Sequence, residues 1–334
     1  MFCRKLIVLW ILFLGTTLSL PGIVESVYAQ VIIKDTGDIT GVVSDTGVWS
    51  NKHPRWQRDV ILKGHEGHAY LMRRIQIDTG ASRYGLLYEY CCDSSHQGTR
   101  TKTFSNLLTM DMPGLQNWSS TGSFFDVLCD GESLGEKQAS FKVFGSGEDK
   151  GGVEISWGSD NKVVTARFTA QSQDVKLPVD ILFPKDAFNT LDICLRCYPN
   201  EYAAPWAKGA DVRNRHIATA KRDMAADKNK AAKVALANDE PWVVYYDSAL
   251  DKGVARTSAD GKASWLGSGP CALAYIPEEV KAANIILDNY NIDTILSYST
   301  GLPEAHVILW DYGFGPSSKS NQEVIDYFKS MKIE

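Results

Sequence analysis

Residues 163–170 read VVTARFTA. Val164, Ala166 and Phe168 alternate with Thr165, Arg167 and Thr169. A period of two sends each set to its own face of a pleated strand, so the stretch predicts a half-buried strand. The same rhythm recurs upstream at 60–63 (VILK), 70–77 (YLMRRIQI), 84–90 (YGLLYEY), 123–128 (SFFDVL), 139–144 (ASFKVF) and 152–157 (GVEISW). Downstream it returns at 179–183 (VDILF), 191–198 (LDICLRCY), 242–246 (WVVYY), 271–276 (CALAYI), 292–298 (IDTILSY) and 305–310 (AHVILW). Clusters of Gly, Asp, Asn and Pro separate the runs, as turns require. Many short strands with few helices between them predict an all-β, antiparallel β-sandwich architecture, not βαβ units. Neither an internal repeat nor a phosphate-cradling glycine motif interrupts the pattern.

Two segments depart from it. Residues 207–237 are rich in Ala, Lys, Asp and Asn. Good helix formers with little apolar surface predict a helical insertion lying on the outside. Its basic excess suits an acidic partner on a functional reading and a solvated surface on a structural one. Near the C-terminus, Ser320-Asn321-Gln322-Glu323 has the form of a capping box. Val324, Tyr327, Phe328 and Met331 then share one face, which predicts a packing helix over 321–331. The glycine-rich tract 145–152 and the turn 158–162 divide the strands into 30–160 and 161–334. Two closely packed sandwich units with a boundary near 160 are expected, with one large sandwich as the alternative.

The N-terminus carries Arg4 and Lys5, the apolar run LIVLWILFLGTTLSL at 6–20, Pro21-Gly22, and Val27-Tyr28-Ala29. This order predicts a secretory signal peptide over 1–29, cleaved after Ala29. An uncleaved anchor is the rival reading, but the run is short for a bilayer. Secretion or delivery to the periplasm follows, with no membrane span in the mature chain. Removing Arg4, Lys5 and Glu25 from 35 basic and 40 acidic residues leaves 33 and 39, a net charge of −6. A mildly acidic chain has no electrostatic reason to hold nucleic acid. Export permits disulfides among the six remaining cysteines, Cys91, Cys92, Cys129, Cys194, Cys197 and Cys271, but buried free thiols fit a chain of this length equally.

Few constellations suggest chemistry. Residues 193–202 read ICLRCYPNEY. Read as a strand, Cys194 and Cys197 face opposite sides and cannot chelate one ion, so they are expected to be packing thiols or members of separate disulfides. The end of this stretch is the better binding candidate, with Arg196, Glu201, Tyr202 and Trp206 near a strand terminus. Asp247 after WVVYY and Asp311 after AHVILW mark further strand ends, where carboxylates serve turns or, if paired in space, glycoside chemistry. Cys91 to Thr99 forms a polar loop carrying His96. Gly64-His65-Glu66-Gly67-His68 gathers three potential metal ligands, His65, Glu66 and His68, but lacks the helical HExxH spacing and reads as a hairpin tip.

The order YGLLYEY, a loop with HQGT, SFFDVL, CDGESLGE, ASFKVF, a glycine-rich loop and GVEISW over 70–157 resembles secreted jelly-roll modules of the galactose-binding-like, carbohydrate-binding type. The resemblance implies a sandwich that binds sugars through loops at one end, sometimes with a structural calcium. It extends to no residue of 161–334. Nine Trp and fourteen Tyr agree with sugar-stacking surfaces and also with ordinary sheet composition. The sequence therefore predicts an exported, non-catalytic protein that binds polysaccharide or another cell-envelope polymer and needs no cofactor. A carbohydrate-active hydrolase, lyase or epimerase using His65, His68, Glu201, Arg196 and Asp247 is the alternative, and a structural envelope protein is a third.

Overall fold

A computed structural model describes residues 30–42, 48–50, 59–61, 67, 69–91, 109–110, 117–118, 124–158, 162–200, 213–257, 264–266, 269–299, 301, 303–313 and 317–331. In chain order the strands are β1 (Ile32–Asp35), β2 (Ile39–Val42), β3 (Val48–Ser50), β4 (Asp59–Ile61), β5 (Ala69–Asp78), β6 (Arg83–Cys91), β7 (Thr109–Met110), β8 (Phe125–Cys129), β9 (Glu132–Ser133), β10 (Ala139–Phe144), β11 (Lys150–Trp157) and β12 (Val164–Gln171). They continue as β13 (Lys176–Leu182), β14 (Leu191–Cys197), β15 (Arg215–Thr219), β16 (Asp223–Ala225), β17 (Ala232–Leu236), β18 (Trp242–Asp247), β19 (Ala255–Thr257), β20 (Ser264–Leu266), β21 (Cys271–Tyr275), β22 (Val280–Leu287), β23 (Ile292–Tyr298) and β24 (Glu304–Asp311). An α-helix, α1 (Asn321–Ser330), follows.

A nine-stranded sheet runs β10-β11-β12-β13-β24-β21-β18-β15-β16, and a six-stranded sheet runs β17-β22-β23-β14-β8-β9. A five-stranded sheet holds β1, β2, β5, β6 and β7, and two-stranded ribbons pair β3 with β4 and β19 with β20. Pairing is antiparallel in each, as the hydrophobic alternation predicts. In β12, Val164, Ala166 and Phe168 are buried while Thr165 and Arg167 are partly exposed. One core joins the sheets, with Ile75 and Tyr84 from the first, Val153, Phe168 and Val179 from the nine-stranded sheet, and Val127, Ile193 and Leu296 from the six-stranded sheet. A second core lies on the opposite face of the nine-stranded sheet. There Trp242, Val244, Ala272 and Trp310 meet Val324, Ile325 and Phe328 of α1.

The predicted capping box closes on α1. The Ser320 side chain accepts from the Glu323 backbone, and the Glu323 carboxylate accepts from the Ser320 backbone at 2.7 Å. Its apolar face then covers Trp242 and Trp310, with Phe328 ring centroids 5.5 and 4.9 Å away.

Two expectations need correction. The stretch read as a helical insertion over 207–237 contains β15, β16 and β17 where it is described. Helix propensity is a weak prior that tertiary pairing overrides, and here Ile217 and Val234 are buried in strands that pair with β18 and β22. The division near 160 falls inside a sheet, since β11 and β12 pair from Lys150↔Gln171 to Trp157↔Val164. The earlier β8 likewise pairs with β14 of the later segment. The sheets thus draw on strands from both sides of that turn. The signal-like residues 1–29 lie outside the described residues. Among the described residues no helix is long and apolar enough to cross a membrane.

Candidate binding site

One end of the nine-stranded sheet gathers the start of β15, the end of β18, the start of β21 and the end of β24. Register places Arg215 opposite Asp247, Tyr245 opposite Cys271, and Cys271 opposite Asp311. Sandwich architecture delivers connecting segments to such ends, and the strand ends here carry a buried polar network.

Asp247 is its centre. The side chain has no solvent exposure. Its Oδ1 accepts the backbone N–H of Ala249 at 2.8 Å and of Leu250 at 3.1 Å, and its Oδ2 accepts that of Asn214 at 3.0 Å. Arg215, also buried, sets Nη1 3.4 Å from Asp247 Oδ2 and donates to the Pro199 carbonyl. Burial pulls the guanidinium pKa down, and Asp247 opposes that pull. Asn200 has φ 68, a left-handed conformation that Asn tolerates better than most residues. Its Oδ1 accepts the Asp247 backbone N–H at 2.8 Å, and its Nδ2 donates to Asn321 Oδ1 at 2.8 Å. Asn321 Nδ2 returns to the Asp247 carbonyl at 3.0 Å.

The consequence concerns segment 201–212. Asn200 immediately precedes it, Asn214 lies just beyond it, and both bind Asp247. One buried residue, Asp247, therefore holds both stems of a segment that carries Glu201, Tyr202 and Trp206: its backbone N–H holds Asn200 and its carboxylate holds Asn214. Beside the stems, Tyr198 packs edge-on to Tyr290 at 5.2 Å, and Arg213 lies 4.6 Å over the Tyr290 ring.

Asp311 forms a second buried support. Its Oδ1 accepts from Asn117 Nδ2 at 2.7 Å and from the Gly313 backbone at 2.8 Å. Desolvation nevertheless pushes its pKa up to about 7. A side chain at residue 313 would put its Cβ 2.4 Å from Asn117 Nδ2, so glycine permits this close approach.

The residues singled out from sequence divide three ways. Asp247 sits at the predicted strand end, but fully buried, where its carboxylate accepts the backbone N–H groups of Asn214, Ala249 and Leu250. Arg196 projects from the opposite side of β14 to buried Cys197 and forms a fork with Asp293, including Nη2–Oδ2 at 2.6 Å. That carboxylate raises the Arg196 pKa. Arg196 and Asp247 therefore do not converge. Glu201, Tyr202, Trp206, His96, His65, Glu66 and His68 lie outside the described residues. The hairpin reading of 64–68 changes, because β4 pairs with β3 while β5 pairs with β1, β2 and β6. The segment links two sheets and does not join paired strands. Among the described residues no cluster of three or more His, Cys, Asp or Glu is placed to hold a metal.

Cys194 and Cys197 do face opposite sides of a strand, and both are free thiols. Burial pushes the Cys194 thiol up to about 12. Among the described residues, Trp118, Trp157, Trp242 and Trp310 are buried and belong to the core. Sequence reasoning missed Asn200, Arg215 and Asn321. Asn200 had a local signal, a turn after Pro199, but its partners are 47 and 121 positions away.

No family model matches the sequence, and no curated relative was found. Among solved structures, a TPR-domain containing protein from Parabacteroides distasonis has TM-score 0.41 at 8% identity, over 84% of this chain and 55% of that one. A GH36 alpha-galactosidase from Geobacillus stearothermophilus has TM-score 0.34 at 9% identity, over 71% and 39%. A putative aldose 1-epimerase from Klebsiella pneumoniae has TM-score 0.35 at 8% identity, over 88% and 96%. These are likenesses of backbone arrangement, and the chain spans about half or less of the length of the first two.

Proposed function

We propose that this is an exported β-sandwich protein that binds a glycan or similar envelope polymer through segment 201–212 and the strand ends beneath it. The observation that carries the reading is the clamping of both stems of that segment by Asp247. A loop held at both ends loses less conformational freedom when it meets a ligand, which favours affinity. The segment offers Tyr202 and Trp206, whose rings suit the C–H faces of sugars, and Glu201, Lys208 and Asp211, which suit hydroxyls. Export rests on the N-terminal charge, apolar run and small-residue site. Binding through these groups requires no cofactor.

Affinity electrophoresis against a panel of soluble polysaccharides tests this. At least one polymer should retard the mature chain, and Trp206→Ala should abolish the retardation while leaving the melting temperature unchanged. Arg196→Ala, on the far face of β14, should leave retardation intact. Retardation should survive a chelator. Uniform mobility across the panel, or equal retardation of Trp206→Ala, would overturn the reading.

A further inference from the structure

The inward-facing pair Arg215 and Asp247 has neighbours that point the other way along the same strands. On that outer face Ser248 Oγ lies 3.2 Å from His216 Nε2, and His216 Nδ1 lies 3.4 Å from Asp223 Oδ1. We propose that Ser248, His216 and Asp223 form a nucleophile, base and orienting acid that cleave solvent-reachable carboxylic esters. Such a triad is defined by geometry and roles, whatever the chain order or fold.

Each member is held by a further contact, which separates the set from a chance cluster of polar groups. His216 and Tyr246 are opposite one another in the β15–β18 register, and their rings stack at 4.8 Å with 24° between planes. The Tyr246 hydroxyl lies 2.7 Å from each Asp223 oxygen, fixing the carboxylate beside the imidazole. Ser248 follows Asp247, and its backbone N–H donates to the Asn214 carbonyl at 3.0 Å. The turn beyond it is tied by the Asp247 bonds to Ala249 and Leu250. Asn214 Nδ2 donates to Ser248 Oγ at 2.5 Å. With Asp223 Oδ1 at 3.4 Å and the Tyr246 hydroxyl oxygen at 3.3 Å sharing Nδ1–H, Nε2 is left to accept the serine proton.

The reaction then balances. Ser248 Oγ attacks the ester carbonyl carbon while its proton passes to Nε2. Asn214 Nδ2, already at the nucleophile, is the donor nearest the developing oxyanion. Collapse expels the alkoxide, which takes the proton from Nε2 and leaves as an alcohol. Water, deprotonated by His216, releases the acid and restores Ser248. The partly exposed setting and a single side-chain oxyanion donor suit unhindered O-acyl esters, whose alkoxide leaves more readily than an amine. Tyr246 is a positioning residue for Asp223.

The test treats the folded mature chain with a fluorophosphonate and locates the adduct by peptide mass spectrometry, independently of any polymer binding. The expected result is a phosphonyl group on Ser248, formed roughly a hundredfold or more slower in His216→Asn. Asp223→Asn should slow it at least about tenfold. With 4-nitrophenyl acetate the wild type should release a burst equivalent to one acyl group per chain, lost in Ser248→Ala. Melting curves confirm that each variant is folded. An unmodified Ser248 in the folded wild type, or equal labelling of folded His216→Asn, would overturn the triad.

Discussion

The two halves of the nine-stranded sheet stand in different surroundings. In the β10–β13 half one face is core and the other meets solvent. A row of directly paired residues crosses that outer face: Lys142, Glu154, Arg167, Asp180 and then His306 on β24. Charge alternates along the row, with Arg167 2.6 Å from Glu154 and His306 Nδ1 3.0 Å from Asp180. In the β18–β21 half, α1 covers the outer face and the first core covers the inner one. All six residues of β18 and all five of β21 are buried. A strand enclosed on both faces cannot discharge its end groups into water, so Asp247 and Asp311 must be satisfied internally. The same alternating polar chemistry is a solvated surface in one half and a costly buried network in the other.

The sharpest test of that contrast is Asp247→Ala. It strands the Arg215 guanidinium without its carboxylate and releases the backbone donors of Asn214, Ala249 and Leu250. Removing one partner of a buried pair costs about 3–5 kcal/mol. Urea unfolding followed by tryptophan fluorescence should show a loss in that range. A loss below about 1 kcal/mol, the value of a surface pair, would erase the distinction between the halves.

Phe328→Ala comes next. It removes the ring between Trp242 and Trp310 and should cost about 3 kcal/mol, the lower end for such a truncation because a terminal helix can settle inward. The corresponding exposed substitution on the same helix, Tyr327→Ala, should change the urea midpoint far less.

The third test uses pH. In the folded chain Asp311 holds its proton up to about 7, whereas an unfolded carboxyl releases it near its ordinary value of 3.8. Between those values the folded state binds more protons, so this group's contribution to stability is greatest below about 4 and falls as pH rises to about 7. Asp311→Asn keeps an acceptor for Asn117 and Gly313 without the titration. Its stability relative to wild type should therefore rise across pH 4–7 and level off above. A constant difference would mean that Asp311 is ionised throughout.

These tests also mark what could be read without coordinates. VVTARFTA reports its own environment, because one wet face forces alternation. WVVYY declares a strand, but that both its faces are covered depends on α1, whose apolar stripe lies eighty positions later. HIATAKRD carries helix-forming composition, and pairing with a distant strand decides against it. Asp247 is visible as a strand end, yet its role depends on Asn200, Asn214, Arg215 and Asn321. Of these only Asn200 has a local cue, Pro199, and no spacing rule links the set. The Ser248–His216–Asp223 grouping is hidden for the same reason: its members meet only through the register of β15 with β18 and β16.

The smallest expected effect is on the charge row, and it tests the comparison from the wet side. Glu154 accepts from Arg167 Nε and Nη2 at 2.9 and 2.6 Å, while Lys142 approaches at 3.2 Å. The Arg167 hydrogen bond holds the Glu154 carboxyl below its usual range. Lys142 and Arg167 nevertheless keep 72% and 42% of their side-chain exposure, so solvent screens the attraction. A double-mutant cycle of Glu154→Gln with Arg167→Ala should return a coupling of about 0.2–1 kcal/mol, shrinking in 1 M salt. A coupling as large as the loss from Phe328→Ala, or one indifferent to salt, would mean that the row behaves like the buried end of the sheet. The outer face would then be a structural element in its own right.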